Sequence, residues 1–139
     1  MILIVGDSLS KGVSLNEEAK RYFFLKESYA NNLAKATGAD VVNLSKFGAT
    51  IDFGRRKLFE KLETSKPDIV LIEFGGNDCD FAWDEIAKNP LSEHLPKTPL
   101  NEYEAYLTEM VNMTRQAGAM PVVMSLPPLN AVSYFNWFT

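Results

Sequence analysis

The sequence holds a single cysteine, Cys79, and a single histidine, His94. One cysteine excludes an internal disulfide, and with one histidine it cannot build a zinc cluster, so no metal or other cofactor is expected. No apolar run approaches the roughly 20 residues that a membrane-spanning helix needs, and no basic amphipathic stretch suggests docking on a membrane. Positive charge is scarce as well: 14 Lys and Arg stand against 18 Asp and Glu, for a net charge of −4 and a pI near 5.0. That balance argues against nucleic acid as a partner. Repeats, linkers and biased tracts are missing too. With 46% hydrophobic and 23% charged residues, the 139-residue chain reads as one ordered domain, residues 1–139, with a real core. Met1 leads straight into an apolar strand, so no signal peptide is expected and a cytoplasmic location follows.

The stretch around which the rest is organised is Ile2-Leu3-Ile4-Val5-Gly6-Asp7-Ser8-Leu9-Ser10. Four consecutive β-favouring apolar residues, then glycine, Asp and Ser, predict a fully buried strand ending in a strand-to-helix turn. Such a turn delivers Ser8 to the carboxyl edge of a sheet. Open α/β sheets bind ligands at that edge, and the following helix aims its unpaired N–H groups there. A hydroxyl so held can be a nucleophile with part of an oxyanion hole in place; the competing structural role for Ser8 or Ser10 is a helix cap. Asp7 is of the right type for a triad acid, but as the neighbour of Ser8 it is assigned to fixing the turn by local hydrogen bonds.

Downstream, residues 11–27 mix charges with Tyr22, Phe23, Phe24 and Leu25 and read as a loop. Residues 28–37 place Tyr29, Leu33 and Ala36 on one helical face, stopped by Gly38. A second strand over 41–44 runs into Ser45-Lys46-Phe47-Gly48-Ala49-Thr50. A helix over about 51–63 turns Phe53, Leu58, Phe59 and Leu62 inward and Arg55, Arg56, Lys57, Glu60 and Lys61 to solvent. Residues 69–74 are apolar on both faces, as in a central parallel strand, and stop at Gly75-Gly76-Asn77-Asp78. Residues 79–100 are irregular and interrupted by proline, with exposed-looking Phe81 and Trp83; a segment of this kind is a candidate substrate-side lid. A helix over about 101–117 buries a stripe of Tyr103, Tyr106, Leu107, Met110, Val111 and Thr114, and a fourth strand covers 122–124. Strands alternating with helices predict an α/β fold, a parallel sheet covered on both faces in a flavodoxin-like three-layer α/β/α sandwich.

Gly6-Asp7-Ser8-Leu9, a lone Gly48 after the second strand and Gly75-Gly76-Asn77-Asp78 after the third resemble, in order and spacing, the first three sequence blocks of the SGNH, or GDSL-type, esterase and lipase superfamily. The resemblance covers nearly the whole chain. It implies a serine hydrolase of small acyl esters, for instance an O-acetylated carbohydrate. In that family pattern Ser8 is the nucleophile, and the Ser8 N–H, the Gly48 N–H and the Asn77 side-chain amide donate to the oxyanion. The residue chemistry agrees with these roles. Gly48 offers only its backbone amide and leaves room for an acyl group, while Asn77 donates two N–H bonds and cannot ionise. One such donor is typically worth about 3–4 kcal/mol of transition-state stabilisation.

The family's fourth block, Asp-x-x-His, does not occur in this sequence. His94 sits in Ser92-Glu93-His94-Leu95-Pro96, without an aspartate three residues before it, and reads as a surface or packing residue. The expectation is therefore a C-terminally truncated domain, whose catalytic His and Asp lie beyond residue 139 and which is nearly inactive by itself. Ending there also leaves a sheet edge unpaired and Trp137 and Phe138 without cover, which leaves room for a homodimer. Two other readings compete. The same strand-end amides could hold a carboxylate, phosphate or acetyl group without turnover. A nucleotide-binding or receiver domain would share the fold, but residues 6–12 lack the phosphate-binding Gly-x-x-x-x-Gly-Lys-Ser/Thr loop, and no acidic cluster is expected at the end of the first strand.

Overall fold

The computed structural model describes residues 1–128 and 130–138, with side chains in the final helix through Asn136. The expectation that Trp137 and Phe138 lack cover falls on side chains outside the described residues. The first strand, β1 (Ile2–Gly6), is buried along its whole length because it is flanked on both sides. The other elements follow as α1 (Ser8–Lys11), β2 (Val13–Asn16), β3 (Arg21–Phe24), α2 (Tyr29–Thr37), β4 (Val41–Asn43) and α3 (Ile51–Ser65). After these come β5 (Ile69–Glu73), α4 (Trp83–Lys88), α5 (Leu100–Gln116), β6 (Met120–Val123) and α6 (Ala131–Phe138).

The main sheet has the order β4-β1-β5-β6 and every pairing in it is parallel. Alternate residues of its strands divide the core. Leu3, Val5, Val70 and Ile72 pack with Ile51, Leu58, Leu62 and Met110 of α3 and α5, while Ile2 and Ile4 face Ala30, Tyr29 and Leu33 of α2. These are the three layers of the expected α/β/α sandwich. Full burial of one such aliphatic side chain contributes about 1.5–3 kcal/mol, so β1, apolar on both faces, is stable only as an inner strand. From β1 the chain passes to β4 on one side, then jumps back across to β5 and β6 on the other. The order thus reverses between β1 and β5, where doubly wound sheets open a ligand crevice at the carboxyl ends.

Several expectations are corrected. In α3 the buried line is Ile51, Gly54, Leu58 and Leu62, which rotates Phe59 off the core, where it is 73% exposed. Gly54 is inward because the Phe74 ring lies on it: a Cβ there would stand 2.2 Å from that ring. Arg55, expected in solvent, is largely covered by ion pairs to Asp52 and Glu109 and lies 5.0 Å over the Tyr106 ring. In α2, Ala30 and Leu33 turn inward and Ala36 is exposed. The α5 stripe is as expected, with Met110 and Thr114 fully buried.

The supposed loop 11–27 is an antiparallel hairpin of β2 and β3, with Val13 opposite Phe24 and Leu15 opposite Tyr22. Residues 79–99 contain α4 and are tied at the neck. Lys97 N–H donates to the Asp80 carbonyl at 2.8 Å, Thr98 N–H donates to that of Asp78 at 3.0 Å, and Lys97 pairs with the Asp80 carboxylate at 2.7 Å. Phe81 and Trp83 are half-buried against each other, and the indole N–H of Trp83 donates to Asp80. Among the described residues no helix is long and apolar enough to cross a membrane.

Candidate active site

The helix expected after the first strand is a single turn, Ser8–Lys11, closed by Gly12, so it has little macrodipole to offer. Its cap is Asp7, not a serine: Asp7 Oδ1 accepts the Leu9 N–H at 2.8 Å. Ser8 is half-buried at the carboxyl end of β1, whereas Ser10 is fully buried and donates its hydroxyl to Glu73 Oε2 at 2.7 Å.

The segment carrying Gly48 folds over the end of β1. Lys46 N–H donates to the Gly6 carbonyl and Ala49 N–H to that of Lys46, both at 3.1 Å. Gly48 has φ 72°, a conformation costly for a residue with a Cβ. A Cβ added there would meet nothing within 4 Å, so the demand for glycine comes from the backbone, and the exposed residue borders open space.

After β5, Gly75-Gly76 delivers Asn77. Its Nδ2 donates to Asp7 Oδ2 at 3.2 Å and to the Ala49 carbonyl at 3.0 Å. One side chain thereby joins the neighbour of Ser8 to the neighbour of Gly48, and the three predicted site residues are gathered at the ends of β1, β4 and β5, at the point where the strand order reverses. Both hydrogens of the amide are engaged with protein acceptors. The adjacent Asp78 works structurally: its Oδ1 accepts the Ile51 N–H at 2.9 Å and the Thr98 hydroxyl at 2.6 Å, capping α3 where Thr50 makes no side-chain bond. Beside Asn77 opens an apolar cavity of about 590 Å³ lined by Leu9, Phe81, Trp83, Leu126 and Phe135 among others.

Residues 4–137 match the model of the GDSL-like lipase/acylhydrolase family. The chain belongs to that family. This GDSL-like chain is 28% identical over 139 residues to an arylesterase of Vibrio mimicus, an alignment that covers 99% of the chain and 60% of the relative. It therefore spans 60% of the length of the curated relative it matches. Among solved structures it is similar to the psychrotrophic esterase EstA from Pseudoalteromonas sp., with 28% identity, a TM-score of 0.60 and coverage of 99% of the chain and 67% of EstA. A catalytic mutant of the acetylxylan esterase Axe2 from Geobacillus stearothermophilus is 26% identical with a TM-score of 0.61, over 88% of the chain and 57% of Axe2.

Electrostatically, the GDSL-like site is dominated by carboxyl groups. Burial pushes the Asp7 carboxyl up from 3.8 to about 6; the Leu9 N–H opposes this, and the facing Glu73 and Asp78 add to it. Asp7, Glu73 and Asp78 are each at most 3% exposed. An acidic cluster thus does occupy the strand ends, contrary to the sequence expectation, because the last residue of β5, Glu73, and the turn after it, with Asp78, add two members to Asp7. Among the described residues no group of three or more His, Cys, Asp or Glu side chains is disposed to hold a metal ion. His94 stays within its own loop, with Nε2 2.8 Å from the Asn89 carbonyl oxygen. Sequence reasoning missed the reach of Asp7 to Asn77 and the Glu73–Ser10 pair. The one available signal was a glutamate closing an otherwise apolar strand.

Proposed function

We propose that this chain carries the nucleophile and oxyanion side of a serine esterase, with Ser8 as nucleophile and with the Ser8 N–H, the Gly48 N–H and the Asn77 amide as oxyanion donors. The observation that carries this reading is the double hydrogen bond of Asn77 Nδ2 to Asp7 and to Ala49, which draws segments 70 and 28 residues apart onto one point. Ser8 Oγ attacks the ester carbonyl and its proton passes to a base; the tetrahedral oxyanion is held by the three donors, collapse expels the alcohol, and water then releases the acid. Of the two Asn77 bonds, the one to the neutral Ala49 carbonyl is the one an oxyanion replaces when Asp7 is ionised, because a bond to a carboxylate is then the stronger.

The base comes from outside these 139 residues, since His94 is occupied within its loop. Loss of a triad base costs about 10⁴–10⁶-fold in turnover, so the isolated chain is a poor catalyst. The structural relative EstA is known inhibited by monoethylphosphonate, a tetrahedral phosphorus group of the kind such a site holds. The acetylxylan esterase likeness favours an acetyl ester, while the apolar lining of the 590 Å³ cavity favours an aryl or short alkyl arm over a carbohydrate one. The start of the segment 79–99, with Phe81 and Trp83, forms one side of that cavity.

A fluorophosphonate with added imidazole tests this reading. Imidazole takes the serine proton, the Ser8 Oγ–P bond forms and fluoride leaves. Mass spectrometry should find one label on Ser8, none in Ser8→Ala, and labelling slowed about 10²–10³-fold in Asn77→Ala. A label elsewhere overturns the assignment. Absence of label together with phosphate binding that needs Asn77 would instead support a binding module.

A further inference from the structure

The least explained feature of the molecule is the polar chain buried beneath the serine turn. Gly6 and Glu73 are register partners in adjacent strands, and the missing side chain at Gly6 lets Ser10 and Glu73 meet: a Cβ there would stand 2.5 Å from Ser10 Oγ and 3.0 Å from the Glu73 carbonyl oxygen. Ser10 gives its only hydroxyl hydrogen to Glu73 Oε2 at 2.7 Å, so the Tyr29 hydroxyl, 2.6 Å away, donates to Ser10. The other oxygen, Glu73 Oε1, is buried with no hydrogen-bond partner in the structure. Facing Glu73 is the Asp7 carboxyl, whose two oxygens have separate tasks: Oδ1 caps the turn at Leu9 and Oδ2 takes a hydrogen of the Asn77 amide.

We propose that Asp7 is a positioning residue for Asn77, and that the presence or absence of a proton on the buried Asp7 carboxyl sets how firmly the Asn77 amide is held. The functional importance of that hold rests on the reading of Asn77 as an oxyanion donor; the hold itself does not. A carboxylate buried at Asp7 among the buried Glu73 and Asp78 side chains is costly to keep charged, and a proton on Asp7 removes that cost. With the proton present, Asp7 grips Asn77 as a neutral acceptor. Without it, the grip becomes charge-assisted and shorter, and the amide is more tightly oriented. The groups that face Asp7 are Glu73 from β5, Asp78 from the turn after it and, through Ser10, Tyr29 from α2. Burial and the two acidic neighbours place the changeover near pH 6. A role limited to the turn would need only Oδ1.

Asp7→Asn separates the two roles. The asparagine keeps an oxygen for the Leu9 N–H and can donate to Glu73, but it meets the Asn77 amide with a second amide N–H₂. The measurement is the pH dependence, from 4.5 to 8, of the Asn77 side-chain amide resonances in the ¹⁵N-labelled chain, assigned by their loss in Asn77→Asp. The expected result is a titration with its midpoint near 6, abolished in Asp7→Asn and moved to lower pH in Glu73→Gln, where the neighbouring charge is gone. Ser8 labelling by fluorophosphonate with imidazole should slow about 10- to 100-fold in Asp7→Asn, less than on loss of the Asn77 donor itself. Asn77 signals that stay fixed across this pH range, or that titrate alike in wild type and Asp7→Asn, overturn the proposal, and the Glu73→Gln shift decides it if Asp7→Asn does not fold. If the amide titrates as described but Ser8 takes no label, the esterase reading fails while the positioning role stands.

Discussion

The strand-end cluster and the β2–β3 hairpin lie side by side along the chain and are built in opposite ways. In the cluster, Asp7, Ala49, Asn77, Asp78 and Thr98 are fixed by hydrogen bonds that span 20 to 70 residues of sequence and sit at the end of the fully buried strand β1 and its neighbours. The hairpin is held by its own ladder, with Tyr22 58% and Phe24 65% exposed and a ring contact from Tyr22 to Phe47. Groups whose positions matter to tenths of an ångström are supported here by rigid strands, whereas an isolated two-stranded ribbon is only marginally stable. Substitutions in the first region should therefore be expensive, and substitutions in the second should be tolerated.

The largest contrast is expected in labelling: Ser8→Ala removes all fluorophosphonate reactivity, while Phe24→Ser leaves it within about twofold, both read by intact-mass spectrometry. Next comes the dependence of stability on pH. Asp7 holds its proton more tightly in the fold than the ordinary value of 3.8, so its contribution is complete below that value and is lost as pH rises through about 6. The loss amounts to at most about 3 kcal/mol and should be missing from Asp7→Asn, as the difference between wild-type and variant urea midpoints over pH 4–8 will show. Gly6→Ala, forced against Ser10 and Glu73, should cost about 1–3 kcal/mol in the same urea assay. Smallest of all, Phe24→Ser should change stability by no more than about 0.5 kcal/mol; a loss above 2 kcal/mol would show that the hairpin is as firmly anchored as the cluster and would erase the contrast.

The same contrast explains what could be read from sequence. β1, β5 and the α5 stripe announce themselves through apolar patterning, and the turns at Ser8, Gly48 and Asn77 through glycines at strand ends. The hairpin was hidden because its turn over residues 17–20 has no glycine, proline or Asn-Gly pair; Lys20 itself takes the left-handed φ of 48° that would normally flag such a turn. Phe59 and Ala36 were misplaced because a shift of one position turns a helical stripe by about 100°, and only the packed partners decide which stripe faces in. Asp7 looked like a local turn residue because its second partner is 70 positions away, a contact that no local spacing encodes.

The most direct test is the structure of the Ser8 phosphonyl adduct of this chain. The account predicts one phosphonyl oxygen within about 2.7–3.1 Å of the Ser8 N, the Gly48 N and the Asn77 Nδ2, with the Asn77–Ala49 bond given up and the Asn77–Asp7 bond kept. An adduct whose oxygens point away from Gly48 and Asn77 while Asn77 still holds Ala49 would contradict it.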